Sequence, residues 1–328
     1  MVRSRRAARH RGAGPVTGRA AGPVRPPSLR RGARVAVIAP GSRILDSDAL
    51  EAGLARLRRM GLEPVEGPHL RSARGDLAGT DRERAADLAW ALGDPGIDAV
   101  WAARGGWGTL RTLDALGRLD LPDRPRWVAG FSDLTPLLDR LVERGWICLH
   151  APTVCALAGP RRHVASDLSG WLLEGRRRAV LEVGRSRCLV GGRAAGRLTG
   201  GCLSLIAAVA GTPWAPDLSG AIVLLEDVGE PPYRIDRMLW QLRGAGMLGG
   251  VRGLAFGQFT ACRAPAGRPS RSLRAVLADH ARALGVPALA GIPVGHGPRS
   301  RAVPLGAHAT LDADRARLVV TCPAPARR

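Results

Sequence analysis

Lysine and asparagine are both absent from the 328 residues, so all 49 positive side chains are arginine. Their absence excludes Schiff-base lysine chemistry, a phosphate-loop lysine and N-linked glycosylation. No run approaches the roughly 18 apolar residues that a membrane-spanning helix needs, and no apolar stretch of signal-peptide length follows Arg5-Arg6. Neither a membrane span nor an export leader is therefore expected. Six cysteines, at 148, 155, 188, 202, 262 and 322, form no C-x-x-C pair. That scatter argues against zinc ligation or a disulfide framework and for buried thiols in a reducing compartment, which makes the cytoplasm the expected location.

At roughly 150 residues per domain, the length suggests two domains, each able to bury a core. Hydrophobic residues make up 45% and charged residues 23%, values of an ordinary globular chain. A net charge of +21 would suit nucleic acid, but it is unevenly spread. Residues 1–34 hold ten Arg and no acid in a stretch rich in Gly, Pro and Ala; the other 294 residues carry 39 Arg against 28 acids. We therefore read residues 1–32 as a basic tail with no fold of its own. Nucleic acid is not the expected partner, although an inactive or nucleic-acid-binding protein using its Arg surplus is the alternative from a different class.

From Val35 the pattern is regular. Arg34–Ala39 reads as a buried strand ended by Pro40-Gly41, and Leu50, Leu54, Leu57 and Met60 mark one helix face. A helix over 81–92, a strand over 97–103, a further helical stretch, a strand over 126–131 and a helix over 135–144 follow. Strands alternating with helices predict an α/β fold with a parallel sheet, whose ligands bind at the carboxyl ends of the strands. Residues 104–108 and 132 fall there. The N-terminal domain is placed at 33–165, an Arg- and Gly-rich linker at 166–190, a C-terminal domain at 191–322 and a short tail at 323–328. In the second half, helices near 202–210, 233–242 and 273–284 mix with strands near 221–225, 251–259, 308–312 and 317–321. Whether that sheet is an open layer or a barrel is left undecided by the pattern.

Gly130-Phe-Ser-Asp-Leu-Thr135 places a serine at a sharp strand-to-helix turn, where its hydroxyl is presented and the following amide can face an oxyanion. Ser, Asp and Thr before an apolar run are equally what a helix N-terminus needs. Arg104-Gly-Gly-Trp-Gly108 could donate backbone N–H groups to an anion, or be a tight turn requiring positive φ. A nucleophilic serine needs a base. His10 lies in the tail, and His69, His163 and His280 sit in polar surroundings read as exposed. His296, in a glycine-rich loop, His308, along an expected strand, and His150, ending a short strand, remain open as bases. Glu226-Asp227 ends an apolar strand, a position where carboxylates usually face solvent or cap the next helix.

In order, these segments resemble the LD-carboxypeptidase family, serine peptidases that include murein tetrapeptide carboxypeptidase and the microcin-C immunity peptidase. The matching blocks are Ala39-Pro-Gly-Ser42, Arg104-Gly-Gly-Trp-Gly108, Gly130-Phe-Ser-Asp-Leu-Thr135, Gly200-Gly-Cys-Leu203 with Gly211-Thr-Pro-Trp214, the segment Leu225–Leu239, and Gly295-His-Gly297 with Pro304-Leu-Gly-Ala-His308. They span 33 to about 322. The resemblance implies Ser132 as nucleophile, His296 as general base and Glu226 as its orienting acid, with oxyanion amides at Asp133 and Gly106. It also implies a C-terminal domain with a β-rich core, an active site between the domains, a muropeptide or small-peptide substrate, frequent homodimers, and no metal or cofactor. The expected function is hydrolysis of the bond between an L-residue and a terminal D-Ala in murein tetrapeptides during wall recycling. An immunity-type peptidase cleaving an acylated nucleotide is the alternative within the family. One departure stands out: Cys202 occupies a position where members often carry Asn.

Overall fold

The computed structural model of the chain describes residues 22–117, 121–122, 124–159 and 162–325. Its first half alternates β1 (Arg34–Ile38), α1 (Ser47–Arg59), β2 (Glu63–Glu66), α2 (Asp81–Gly93), β3 (Ala99–Ala102), α3 (Thr109–Leu116), β4 (Trp127–Gly130), α4 (Thr135–Glu143), β5 (Cys148–His150) and α5 (Arg162–Leu172). The second half runs β6 (Arg178–Glu182), β7 (Cys188–Val190), β8 (Arg193–Cys202), α6 (Leu203–Ala208), β9 (Ala221–Val228), α7 (Pro232–Gly244), β10 (Gly253–Thr260), α8 (Leu273–Leu284), β11 (Ala288–Leu289), β12 (Val303–Leu305), β13 (His308–Asp312) and β14 (Arg317–Thr321).

Two sheets result. The first has the order β12-β5-β4-β3-β1-β2; its strands from the first half are parallel, as the alternation of strands and helices requires. β1, β3, β4 and β5 are buried at nearly every residue, so they carry unbroken apolar runs instead of alternating ones. The second sheet, mixed, runs β6-β14-β13-β8-β9-β10-β11-β7, an ordered layer with β6 at one edge and β7 at the other. The chain is thus a mixed α/β structure.

Sheet membership does not follow the division read from composition. The stretch 166–190, taken as a linker, contains the end of α5 and strands β6 and β7, the two edges of the second sheet. In the other direction, β12 leaves the C-terminal half and adds antiparallel to β5 of the first sheet. Residues 22–32 differ from the expected tail. Arg25 is fully buried, donates to the Trp171 carbonyl at 3.0 Å and lies 5.7 Å over the Trp127 ring, and Leu29 joins the core. The Trp127 indole N–H in turn donates to the Pro27 carbonyl at 3.0 Å. A Pro- and Arg-rich segment cannot form a core by itself, and these hydrogen-bond partners lie 100 and 146 residues away. Residues 1–21 and 326–328 fall outside the described residues.

The halves meet where α4 packs on β8. Asp139 of α4 is buried there and accepts hydrogen bonds from Thr199 Oγ1 at 2.9 Å and Gly200 N at 3.1 Å. Burial pushes its carboxyl up to about 6, from an ordinary 3.8. A carboxyl that holds its proton more tightly folded than unfolded makes this group's contribution to stability fall as pH rises from about 4 past about 6. Asp139→Asn keeps an acceptor oxygen and cannot ionise. It is expected to raise the thermal midpoint by several degrees at pH 8 and to leave it little changed at pH 4; equal shifts at both values in thermal melts would contradict this.

Candidate active site

Ser132 follows β4 at the start of a single 3-10 turn, Ser132–Leu134, that runs directly into α4. Its φ of +62° is left-handed, a strained conformation for a residue with a side chain, and it presents the hydroxyl at the carboxyl end of the sheet. Asp133 comes next, so its amide lies in the first turn of helical structure, where N–H groups have no partner within the helix. The Asp133 side chain is buried and faces the other way. It accepts from Thr109 N at 2.9 Å and Thr109 Oγ1 at 2.7 Å, and so ties the 104–108 loop to the serine turn. Burial raises its carboxyl above the usual range, while the Thr109 bonds oppose the rise.

The glycine loop is shaped for close approach. A Cβ on Gly105 would sit 3.1 Å from Ser132 Oγ, and Gly106, at φ +118°, would bring one to 2.3 Å of Ser42 Oγ. Ser42 Oγ accepts from Trp107 N at 3.1 Å, which fixes the loop's far side to the turn after β1. Gly106 and Ser132 line the same cavity.

Glu226 is buried completely, contrary to the expectation that carboxylates at this strand end would face solvent. β9 is covered on both faces, and side chains alternate along it. Asp227 points to the α6 side, where it accepts from Ser204 N at 2.8 Å; Glu226 points to the opposite side, toward the first sheet. Space for Glu226 comes from missing side chains. A Cβ on Gly295 would lie 2.5 Å from Glu226 Oε2, and one on Gly257, in the irregular stretch of β10, would lie 3.0 Å from Glu226 Cβ.

The loop after β11 then closes the site. Gln258 N donates to Val294 O at 2.8 Å, Gly295 N to Ser300 Oγ at 3.0 Å, and β12 carries the chain onto β5, which neighbours the strand leading to Ser132. His296 is thereby held between the two sheets. Its Nδ1 lies 2.7 Å from Glu226 Oε2 and its Nε2 3.1 Å from Ser132 Oγ. Phe131 packs on the imidazole with ring centroids 4.7 Å apart. With the carboxylate accepting from Nδ1–H, the lone pair of Nε2 is left facing the serine hydroxyl, the geometry of a hydroxyl, imidazole and carboxyl relay. Burial pushes the Glu226 carboxyl up, and the hydrogen bond from His296 works against that rise.

Among the described residues no histidine other than His296 is hydrogen-bonded to Ser132. His150 is buried with Nε2 4.0 Å from Glu226 Oε1, and Phe131 meets it edge-on at 5.6 Å. Burial pushes its imidazole down to about 3, so it is neutral at physiological pH, and its place is behind the carboxylate. His308 is exposed on β13. His280 is not exposed as expected: it is buried against α7, with Nε2 2.6 Å from Asp236 Oδ1. His69 lies 2.8 Å from Asp87 Oδ1, away from the site; the His163 side chain falls outside the described residues. Cys202, at the family's Asn position, bonds through its backbone N–H to Thr135 Oγ1 at 3.1 Å, and its buried thiol lies 3.6 Å from Asp227 Oδ1. Among the described residues no cluster of His, Cys, Asp or Glu has the form of a metal site.

The two parts of the chain match known domains in the same order. Residues 35–151 match the LD-carboxypeptidase N-terminal domain and 195–311 the LD-carboxypeptidase C-terminal domain. This chain belongs to the LD-carboxypeptidase family. It is 41% identical over 308 residues to a putative carboxypeptidase of Streptomyces coelicolor, covering 92% of this chain and 97% of that protein. It is 37% identical over 303 residues to the murein tetrapeptide carboxypeptidase of Pseudomonas aeruginosa, covering 87% and 94%. The crystal structure of a muramoyltetrapeptide carboxypeptidase from Oxalobacter formigenes superposes with a TM-score of 0.77 at 28% identity, over 88% of this chain and all of that one. The wild-type microcin C7 self-immunity protein shares the fold, with a TM-score of 0.81 at 18% identity over 93% of this chain and all of that one. The protein is a serine-type peptidase, a hydrolase, and no helix among its described residues is long and apolar enough to cross a membrane.

Proposed function

We propose that this LD-carboxypeptidase hydrolyses the bond between the L-centre of the third residue and the terminal D-Ala of murein tetrapeptides, in cell-wall recycling. The observation that carries the reading is the unbroken contact from Ser132 Oγ through His296 to Glu226, in a chain this similar to a murein tetrapeptide carboxypeptidase. Ser132 Oγ attacks the scissile carbonyl carbon as its proton passes to His296 Nε2. The oxyanion is met by the amides of Asp133 and Gly106. As the carbon–nitrogen bond breaks, His296 returns the proton to the departing amine of D-Ala, leaving an ester on Ser132. Water, deprotonated by the same imidazole, releases the shortened peptide. Glu226 keeps the ring in the required tautomer and offsets its positive charge.

Imidazole activates the nucleophile in this scheme, so the reaction is independent of metal. A cytoplasmic setting follows from six free thiols, and homodimer formation follows from the family resemblance. Residues that the immunity reading would need have no separate support, since at 18% identity the likeness to the self-immunity protein concerns fold. Purified protein incubated with muropeptide tetrapeptide is expected to release one alanine, read by mass spectrometry, with the rate unaffected by a chelator. An intact tetrapeptide, or loss of the activity on chelation, would reject the proposal.

A further inference from the structure

A carboxypeptidase must find a free carboxylate three bonds beyond the carbonyl that it attacks, and the cavity at Ser132 contains one candidate for that task. The cavity, about 450 Å³, is lined by Ser132, His296, Leu45, Asp46, Thr153 and Arg104 among others. Arg104 is the arginine among its lining residues, and the chain next to it, at Gly105, lies against Ser132 Oγ. Its guanidinium is half-buried and held in plane by two backbone carbonyls: Nη1 donates to Arg43 O at 2.8 Å and Nε to Gly105 O at 3.1 Å. Nη2 has no acceptor among the described residues, and no Asp or Glu there lies within ion-pair distance of the group. Asp46, the acid in the lining, already accepts from Ala49 N at 2.9 Å as the cap of α1.

From this geometry we propose that Arg104 binds the terminal carboxylate of the substrate end-on through Nη1 and Nη2, and so confines cleavage to the last residue. The inference rests on the muropeptidase reading and adds the residue that makes it an exopeptidase. A planar cation fixed by backbone acceptors is pre-organised for a carboxylate, because little side-chain freedom is lost on binding. A half-buried cation without a counter-charge also disfavours any neutral or extended chain end placed against it.

The test compares the tetrapeptide with its C-terminal carboxamide, using the full chain. The wild type is expected to cleave the acid about 100-fold more efficiently than the amide, as loss of a charged, partly desolvated pair implies. In Arg104→Gln the preference for acid over amide is expected to collapse toward one, chiefly through KM for the acid. Arg104→Lys should recover part of it, since the charge returns without the fork. A fluorophosphonate, which needs no carboxylate, reports whether the Ser132 turn is intact in each variant. Equal cleavage of acid and amide by the wild type, or an unchanged preference in a labelled Arg104→Gln, would overturn the anchor while leaving the muropeptidase reading in place. Tetrapeptide acid that slows wild-type labelling without being cleaved, and loses that effect in Arg104→Gln, would overturn the muropeptidase reading and leave the anchor standing.

Discussion

Replacing Ser132 with alanine is expected to lower kcat for release of the terminal residue by roughly 10⁴–10⁶-fold, with the fold unchanged. Size is not the reason, because the turn already accommodates a β-carbon at φ +62° and alanine keeps it. Loss of Oγ removes the one atom that can form a bond to the scissile carbonyl. His296 Nε2, 3.1 Å from that oxygen, then has no hydroxyl to deprotonate. In the proposed scheme, what remains is water attack helped by the Asp133 and Gly106 amides, which would leave a residual rate above background. Thermal melting of the variant should match the wild type, and steady-state kinetics should show the loss in kcat and not in KM. A variant within ten-fold of wild type would remove Ser132 from the chemistry.

Glu226→Gln is expected to cost about 10³–10⁴-fold in kcat while leaving stability equal or higher. The two effects have opposite signs because they use different properties of the carboxylate. Fully buried, its charge is disfavoured in the ground state, as the raised carboxyl shows, so a neutral amide of the same shape removes a desolvation penalty. In the proposed scheme the imidazole becomes positive during turnover, and the carboxylate 2.7 Å from Nδ1 is the group placed to stabilise it. An amide cannot, and its NH₂ can hold the ring in the wrong tautomer. Kinetics and melts on one preparation check the pair of effects. Falling stability with intact turnover would assign Glu226 a packing role alone.

How much of this was legible in the sequence depended on whether the needed partner was local. β1, β3 and β4 and helices α1, α2 and α4 read directly, since apolar runs and helical spacing carry their own signal. Ser132 was visible as a turn, with catalysis and capping undecided, because strain at φ +62° is a property of the folded chain. β2, Glu-Pro-Val-Glu, and the Arg-Ala-Ala-Gly start of β8 lack the periodicity of strands; they pair because neighbours supply the other half of their hydrogen bonds. Arg25 read as part of an unfolded leader for the same reason, its aromatic and carbonyl partners being remote.

Local sequence does not separate the candidate histidines. His296 and His308 both lie in glycine-flanked segments, and only tertiary arrangement separates a loop that reaches Ser132 from a strand that faces solvent. Glu226 departs from the rule that strand-end carboxylates are ordinarily solvated. Two glycines, Gly257 and Gly295, signal the exception by leaving space that a Cβ would occupy, though nothing in their spacing connects them to Glu226. Among 49 arginines, local sequence does not single out Arg104; it stands apart only as the arginine in the lining of the cavity that holds Ser132.

The claim that Ser132 and His296 work as one unit is tested most directly by comparing D-Ala release from tetrapeptide by Ser132→Ala, His296→Ala and the double variant. If the hydroxyl and imidazole act only through each other, the double variant will be about as slow as either single one. Losses that multiply would mean that the two side chains contribute independently, and the relay described above would be wrong.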